Sequence, residues 1–173
     1  MESTNQVDIL LVEDSPLDAE MTIRTLNKHN CSNSLHWVKD GQEALDFLFC
    51  EGAYESRKGM EPPQLILLDI NMPKVNGMEV LRKIKEHADL RLVPVVMMTS
   101  SSKHPDSLEA YRLGVNSYIV KPVEFGEFAE TVAKVGMYWM MTNHRPPRTV
   151  AETTSAARPV WSMDRYTSPP ANV

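Results

Sequence analysis

Leu65-Ile66-Leu67-Leu68-Asp69-Ile70-Asn71-Met72-Pro73 decides how the rest of the chain is read. Four large apolar residues run without a polar break. That suits a strand buried on both faces, as in a parallel sheet with helices above and below. A carboxylate follows, then a loop closed by Pro73. In open α/β sheets ligands bind where strands end at their carboxyl termini, which places Asp69 at the mouth of a site. On this stretch alone, an aspartate that merely turns a strand into a loop reads equally well. The other strands decide between the two.

Toward the N-terminus, Val7 to Val12 reads as a first strand ending in Glu13-Asp14. Ser15 then suits a helix cap, Pro16 the first helical position, and Asp18 the positive first turn. Ala19, Ile23 and Leu26 put one apolar face on a helix running to about Lys28. Leu35, Trp37 and Val38 suggest a second short strand, and a helix follows over roughly Gln42 to Cys50. Residues 51–64, with Gly52, Gly59 and Pro62-Pro63, are long for a tight turn between helix and strand. They read either as a mobile surface loop or as a functional insertion.

Toward the C-terminus, Asn76-Gly77 opens a helix to about Ala88, with Val80, Leu81 and Ile84 inward. Pro94 to Met98 is a fourth strand ending at Thr99. Pro105 starts a helix that Gly114 ends. Ser117 to Val120 is a fifth strand, closed by Lys121-Pro122. A last helix spans about Glu124 to Met141, with Phe125, Phe128, Ala129, Val132 and Gly136 on its inner face. Five strands alternating with five helices specify a parallel α/β sandwich with right-handed crossovers. Residues 1–142 form this domain. Residues 143–173 are rich in Pro, Ser, Thr and Ala with few aliphatics, which predicts a disordered tail.

Composition narrows the function. A net charge of −5 argues against a nucleic-acid-binding surface. Cys31 and Cys50 are far apart and outside any ligand-spaced pair, which fits a reducing compartment. The only apolar run near the N-terminus, around Ile9 to Val12, is strand-length, so neither a signal peptide nor a membrane span is expected. A soluble cytoplasmic protein is the expectation. The five histidines share no ligand spacing.

Four strands deliver polar groups at their carboxyl ends: Glu13-Asp14, Asp69, Thr99 and Lys121. In the common doubly wound order 2-1-3-4-5, strands one and three are neighbours, about 4.8 Å apart. Asp14 and Asp69 can then share one bound ion, with Thr99 on the far side of Asp69 and Lys121 reaching back from two strands away. Carboxylates this close repel by roughly 4 kcal/mol at about 4 Å and an effective dielectric near ~20. A hard divalent cation relieves that, and magnesium commonly bridges carboxylates and a phosphate. Metal, hydroxyl and ammonium together suit a phosphoryl group. Asp69, lying between the metal side and the Thr/Lys side, is the natural nucleophile.

The motifs LLVEDSP (10–16), LLDINMPKVNG (67–77), MMTSS (97–101) and YIVKP (118–122) resemble the receiver domain of two-component response regulators. The resemblance covers about residues 6–141. It implies the CheY-like, flavodoxin-like doubly wound fold, a five-stranded parallel sheet of order 2-1-3-4-5 with five helices. It further implies that Asp69 accepts a phosphoryl group from a sensor histidine kinase. Glu13 and Asp14 would form the acidic Mg²⁺ pair with Asp69, completed by the main-chain carbonyl of Asn71. Thr99 and Lys121 would contact the phosphoryl oxygens, Thr99 and Tyr118 would be the switch, and the Lys121–Pro122 peptide would be cis. Such a protein is no enzyme with a separate substrate; it catalyses its own phosphotransfer and slow autodephosphorylation. Glu13 stands where Asp is also common in the family. The 31 residues after Thr142 are too few and too polar for a DNA-binding output domain, which resembles a stand-alone receiver. The long 51–64 segment and the aromatic end of the last helix are similar to regulators paired with phytochrome-type kinases.

Two other classes compete. Phosphatases of the haloacid dehalogenase type also place a nucleophilic Asp after an apolar strand, but need an acid/base two residues on, where this chain has Asn71. A pseudo-receiver used only for docking would not need the full set of Glu13, Asp14, Asp69, Thr99 and Lys121. Self-association is a further expectation. Met137, Tyr138, Trp139, Met140 and Met141 span more than one helical turn, so they cannot all face the sheet. By the resemblance, the face of helix four, strand five and helix five is the output and dimer surface. A homodimer using Tyr138 and Trp139 is therefore predicted, an isologous two-fold contact.

Overall fold

The computed structural model describes residues 6–100 and 104–144, the side chain of His104 excepted. The elements alternate as β1 (Ile9–Val12), α1 (Pro16–Lys28), β2 (Leu35–Val38), α2 (Gly41–Phe49), β3 (Leu65–Leu68), α3 (Gly77–Glu86), β4 (Val95–Thr99), α4 (His104–Leu113), β5 (Ser117–Val120) and α5 (Phe125–Met137). The sheet order is β2-β1-β3-β4-β5, all parallel. This is the CheY-like fold. Val12 pairs with Val38 and with Leu68, and Leu68 with Met97. Thr99 pairs with Val120. The strands therefore finish side by side, and the residues that follow them meet at one edge.

β3 is buried along its whole length, as its unbroken apolar run requires. Alternate residues feed two cores. Leu10, Val12, Ile66, Leu68 and Met97 pack with Leu45, Leu81 and Ile84 on the face covered by α2 and α3. Ile9, Leu11, Leu67, Val96 and Met98 pack with Leu26, Phe128 and Val132 under α1 and α5. The start of α1 follows the sequence rule. Ser15 Oγ accepts from the Asp18 N–H at 3.3 Å, with Pro16 at the first helical position. Asp40 likewise caps α2 through the Glu43 N–H at 2.9 Å. Asn76 and Glu79 form a reciprocal capping box at α3.

The structure departs from the sequence reading in four places. Residues 51–64 are not a bare loop. Gly52–Arg57 form a 3₁₀ turn whose Tyr54 hydroxyl donates to Glu43 Oε1 at 2.9 Å. The guanidinium of Arg57 lies 3.9 Å above the Phe47 ring. α5 ends at Met137 and passes into a wider π turn over Tyr138–Thr142, earlier than the apolar run suggested. Phe125, expected inward, begins α5 and is 61% exposed. The Lys121–Pro122 peptide is trans, since no described residue has a cis bond. The two isomers of an X–Pro bond differ by only about 0.5–1 kcal/mol, so the dipeptide itself permits either. The bulk of the proposed tail, residues 145–173, lies outside the described residues.

Candidate functional site

At the carboxyl edge of the sheet, β1 delivers Glu13 and Asp14, β3 delivers Asp69, β4 ends in Thr99 and β5 runs into Lys121. Glu13, Asp69 and Thr99 are buried and Asp14 is exposed. Carboxylate oxygens of Glu13, Asp14 and Asp69 lie within 4.8 Å of one another. Lys121 reaches back across two strands as the spacing required, and its Nζ donates to Asp69 Oδ2 at 3.0 Å and to Glu13 Oε2 at 2.6 Å. The Lys121 N–H also binds the Thr99 carbonyl at 2.7 Å, which fixes where the lysine stem starts. The Asn71 N–H donates to Asp69 Oδ1 at 3.3 Å, so the main chain at Asn71 lies against the same carboxylate.

Burial pushes the Glu13 carboxyl up to about 7, against the pull of the Lys121 ammonium and with the push of the Asp69 charge. Burial opposes the charge on Lys121, but the hydrogen bond to Glu13 and the charges of Asp69 and Glu13 outweigh it and hold the ammonium above its ordinary range. A cation thus sits beside Glu13, whose charged form burial opposes. Every side chain of the acidic cluster offers a hard oxygen donor, the chemistry that suits a divalent cation rather than a soft metal. Glu13, Asp14 and Asp69 would hold such an ion.

Two contacts at the site are not readable from the motifs. The Trp37 indole donates to the Glu13 carbonyl at 2.8 Å, so the edge strand β2 steadies the acidic turn. Asp18 Oδ2 accepts from Lys121 Nζ at 2.9 Å, although its sequence position signalled only a helix-start charge. The segment after Asp69 is pinned on its α2 side. Lys74, in the left-handed region at φ 65°, pairs with Asp40 at 2.6 Å. A Cβ on Gly41 would lie 1.9 Å from the Val75 carbonyl oxygen, and one on Gly77 2.1 Å from that of Asp69. Both glycines are therefore required by close backbone approach.

Tyr118 is half-buried on β5 beside Met97 and packs on the α2/α3 core. Trp139 does not face outward as expected. It packs with Met140 on the α1/α5 core, edge-on to Tyr138 at 5.0 Å, and leaves Tyr138 and Met141 exposed. The larger apolar exposure lies elsewhere, at Leu108 and Tyr111 on α4, Val120 on β5, Val123 (96% exposed) and Phe125.

An open parallel sheet in this order, with acids, a hydroxyl and a lysine meeting at its carboxyl edge, defines a receiver-type α/β domain. The match of residues 9–133 to the response regulator receiver domain makes the assignment specific: the chain belongs to that family, of two-component systems. The chain is 37% identical over 147 residues to the "Probable methanogenesis regulatory protein FilR2" of Methanothrix harundinacea, covering 84% of this chain and 92% of that one. It is 37% identical to response regulator Rcp1 of Synechocystis sp., over 78% of this chain and 89% of the relative. The crystal structure of the Mn²⁺-bound form of Rcp1 superposes with a TM-score of 0.76, covering 81% of this chain and 99% of that one at 36% identity. The phosphorylated cyanobacterial phytochrome response regulator RcpA matches with a TM-score of 0.76, covering 82% and 99% at 34% identity. Among the described residues no helix is long and apolar enough to cross a membrane.

Proposed function

We propose that this chain accepts a phosphoryl group from a sensor histidine kinase on Asp69, with Mg²⁺ as cofactor, and relays the signal in the cytoplasm to a partner protein. The observation that carries this reading is the buried Asp69 carboxylate, within 4.8 Å of Glu13 and Asp14 oxygens on one side and 3.0 Å from Lys121 on the other. In the transfer, an Asp69 oxygen forms a bond to phosphorus as the P–N bond of the donor phosphohistidine breaks, and the imidazole leaves with the electron pair and takes up a proton. Lys121 balances charge on the phosphoryl oxygens, and Thr99, at the end of β4, provides the hydroxyl that follows them toward Tyr118. Glu13, Asp14, Asp69 and the Asn71 carbonyl would hold Mg²⁺, which would supply charge neutralisation there. The protein catalyses its own phosphorylation and slow dephosphorylation and turns over no separate substrate. The likeness to a phytochrome response regulator favours a phytochrome-type kinase as the donor.

Acetyl phosphate plus Mg²⁺ is expected to add one acid- and base-labile phosphoryl group. Asp69→Asn abolishes it with the fold intact. Stoichiometric labelling of that variant, or of the wild type in excess EDTA, overturns the reading.

A further inference from the structure

A lysine ammonium has three N–H donors. Lys121 gives them to three different carboxylates: Glu13 Oε2 at 2.6 Å, Asp18 Oδ2 at 2.9 Å and Asp69 Oδ2 at 3.0 Å. Glu13 and Asp69 belong to the acidic cluster and Asp18 does not. A first-turn aspartate stabilises its helix through the dipole with its head in water. Nothing in that role requires contact with a lysine 103 residues away. Asp18 is nonetheless held in place for that contact. Its N–H is fixed by the Ser15 cap, and its side chain is 34% exposed, half turned into the site.

We propose that Asp18 is a positioning residue, the anchor that keeps the Lys121 ammonium in the site once a divalent cation and a phosphoryl group engage Glu13 and Asp69. This rests on Asp69 being the phosphoacceptor. Oxygens of Glu13 and Asp69 that turn to a cation become weaker acceptors for Lys121, and the cation repels the ammonium. A lysine stem released from its partners regains its rotamer freedom. Asp18, outside the acidic cluster, retains its hydrogen bond. Held there, the ammonium needs only to pivot from Asp69 Oδ2 to an oxygen on the phosphorylated Asp69 side chain. Asp18 itself touches no reacting atom.

The sign of one measurement separates an anchor from a mere nearby charge. Asp18→Asn removes a negative charge, which by electrostatics alone tightens binding of an anionic phosphoryl mimic. Loss of an anchor loosens it. With Mg²⁺ present, Asp18→Asn is expected to bind beryllofluoride about fivefold to tenfold more weakly than the wild type, with partial recovery in Asp18→Glu. The ¹⁵N signal of the Lys121 ammonium is expected to be protected from exchange in the wild-type Mg²⁺–beryllofluoride complex and lost in Asp18→Asn, whose amide spectrum stays native. Equal or tighter binding by Asp18→Asn, or a retained ammonium signal, overturns the anchor while leaving Asp69 as the acceptor. Failure of the wild type to bind beryllofluoride overturns the acceptor assignment and the anchor with it.

Discussion

His36 shows how single residues set the molecule's response to pH. It stacks on Phe47 at 4.7 Å and its Nε2 lies 3.2 Å from the Tyr54 hydroxyl. Burial and then the Arg57 charge hold its imidazole below the ordinary range, with Glu43 pulling the other way. A histidine whose folded value is depressed binds fewer protons than the unfolded chain, so its contribution is complete above the unfolded value, near ~6.5, and is lost as pH falls below it. Glu13 carries the opposite slope. Its folded value is raised to about 7, so in metal-free protein its contribution is full below the unfolded carboxylate range and fades as pH rises through 7. The expected outcome is read as a difference. Melting temperatures of wild type and His36→Gln converge as pH drops from 7 toward 5, because only the wild type loses the histidine term. A gap that stays constant across that range contradicts it. Asp14→Ala is expected to weaken Mg²⁺ binding at least tenfold, in a fluorescence or calorimetric titration, because it removes an exposed hard-oxygen donor from the cluster.

At the scale of elements, the strand that ends at Asp69, the acidic turn, the hydroxyl and the lysine were all legible because each is a strand end and the register is parallel. The Ser15-Pro16 start of α1 was legible because capping is local chemistry. Asp18 and Trp37 were not, since their partners at the site, Lys121 and Glu13, are 103 and 24 residues away and no periodicity encodes those contacts. Trp139, in the π turn after α5, is half-buried against the α1/α5 core, a contact that the apolar run alone does not encode. Glycine packing is equally invisible in a pattern, and it makes a test. A Cβ at Gly77 meets backbone, 2.1 Å from the Asp69 carbonyl oxygen and 2.8 Å from Ile70 Cα. At Gly136 it meets flexible side chains, 2.5 Å from Leu26 Cδ2 and 3.0 Å from Cys31 Sγ. Gly77→Ala is expected to destabilise by about 3 kcal/mol and to slow labelling of Asp69. Gly136→Ala should change stability by about 1 kcal/mol or less, since the helix propensity of alanine offsets the crowding. Urea unfolding of the two variants decides; equal losses would mean that the Gly77 backbone can yield.

For the whole molecule, Leu108, Tyr111, Val120, Val123 and Phe125 are exposed, and a homodimer through α4, β5 and the start of α5 is the expectation to test. Tyr138, exposed beyond the end of α5, is peripheral to that set, and Trp139 is half-buried against the α1/α5 core. Sedimentation at micromolar concentration is expected to show a dimer that beryllofluoride tightens, that Tyr111→Glu or Val123→Asp disrupts, and that Tyr138→Glu changes little. A monomer under both conditions, or a dimer indifferent to Tyr111→Glu, rules out this face.

The pinning of the segment after Asp69 gives the domain a handedness of traffic. Lys74 on Asp40, Gly41 against Val75 and Gly77 against Asp69 leave no slack toward α2. A phosphoryl group on Asp69, as proposed above, is therefore expected to act toward β4 and β5 and to leave the α2 flank with its Tyr54–Arg57 turn a bystander. That flank is the place to hang a dye, a tether or a fused module without muffling the signal. Cys50, at the end of α2 and partly exposed, already supplies the attachment point.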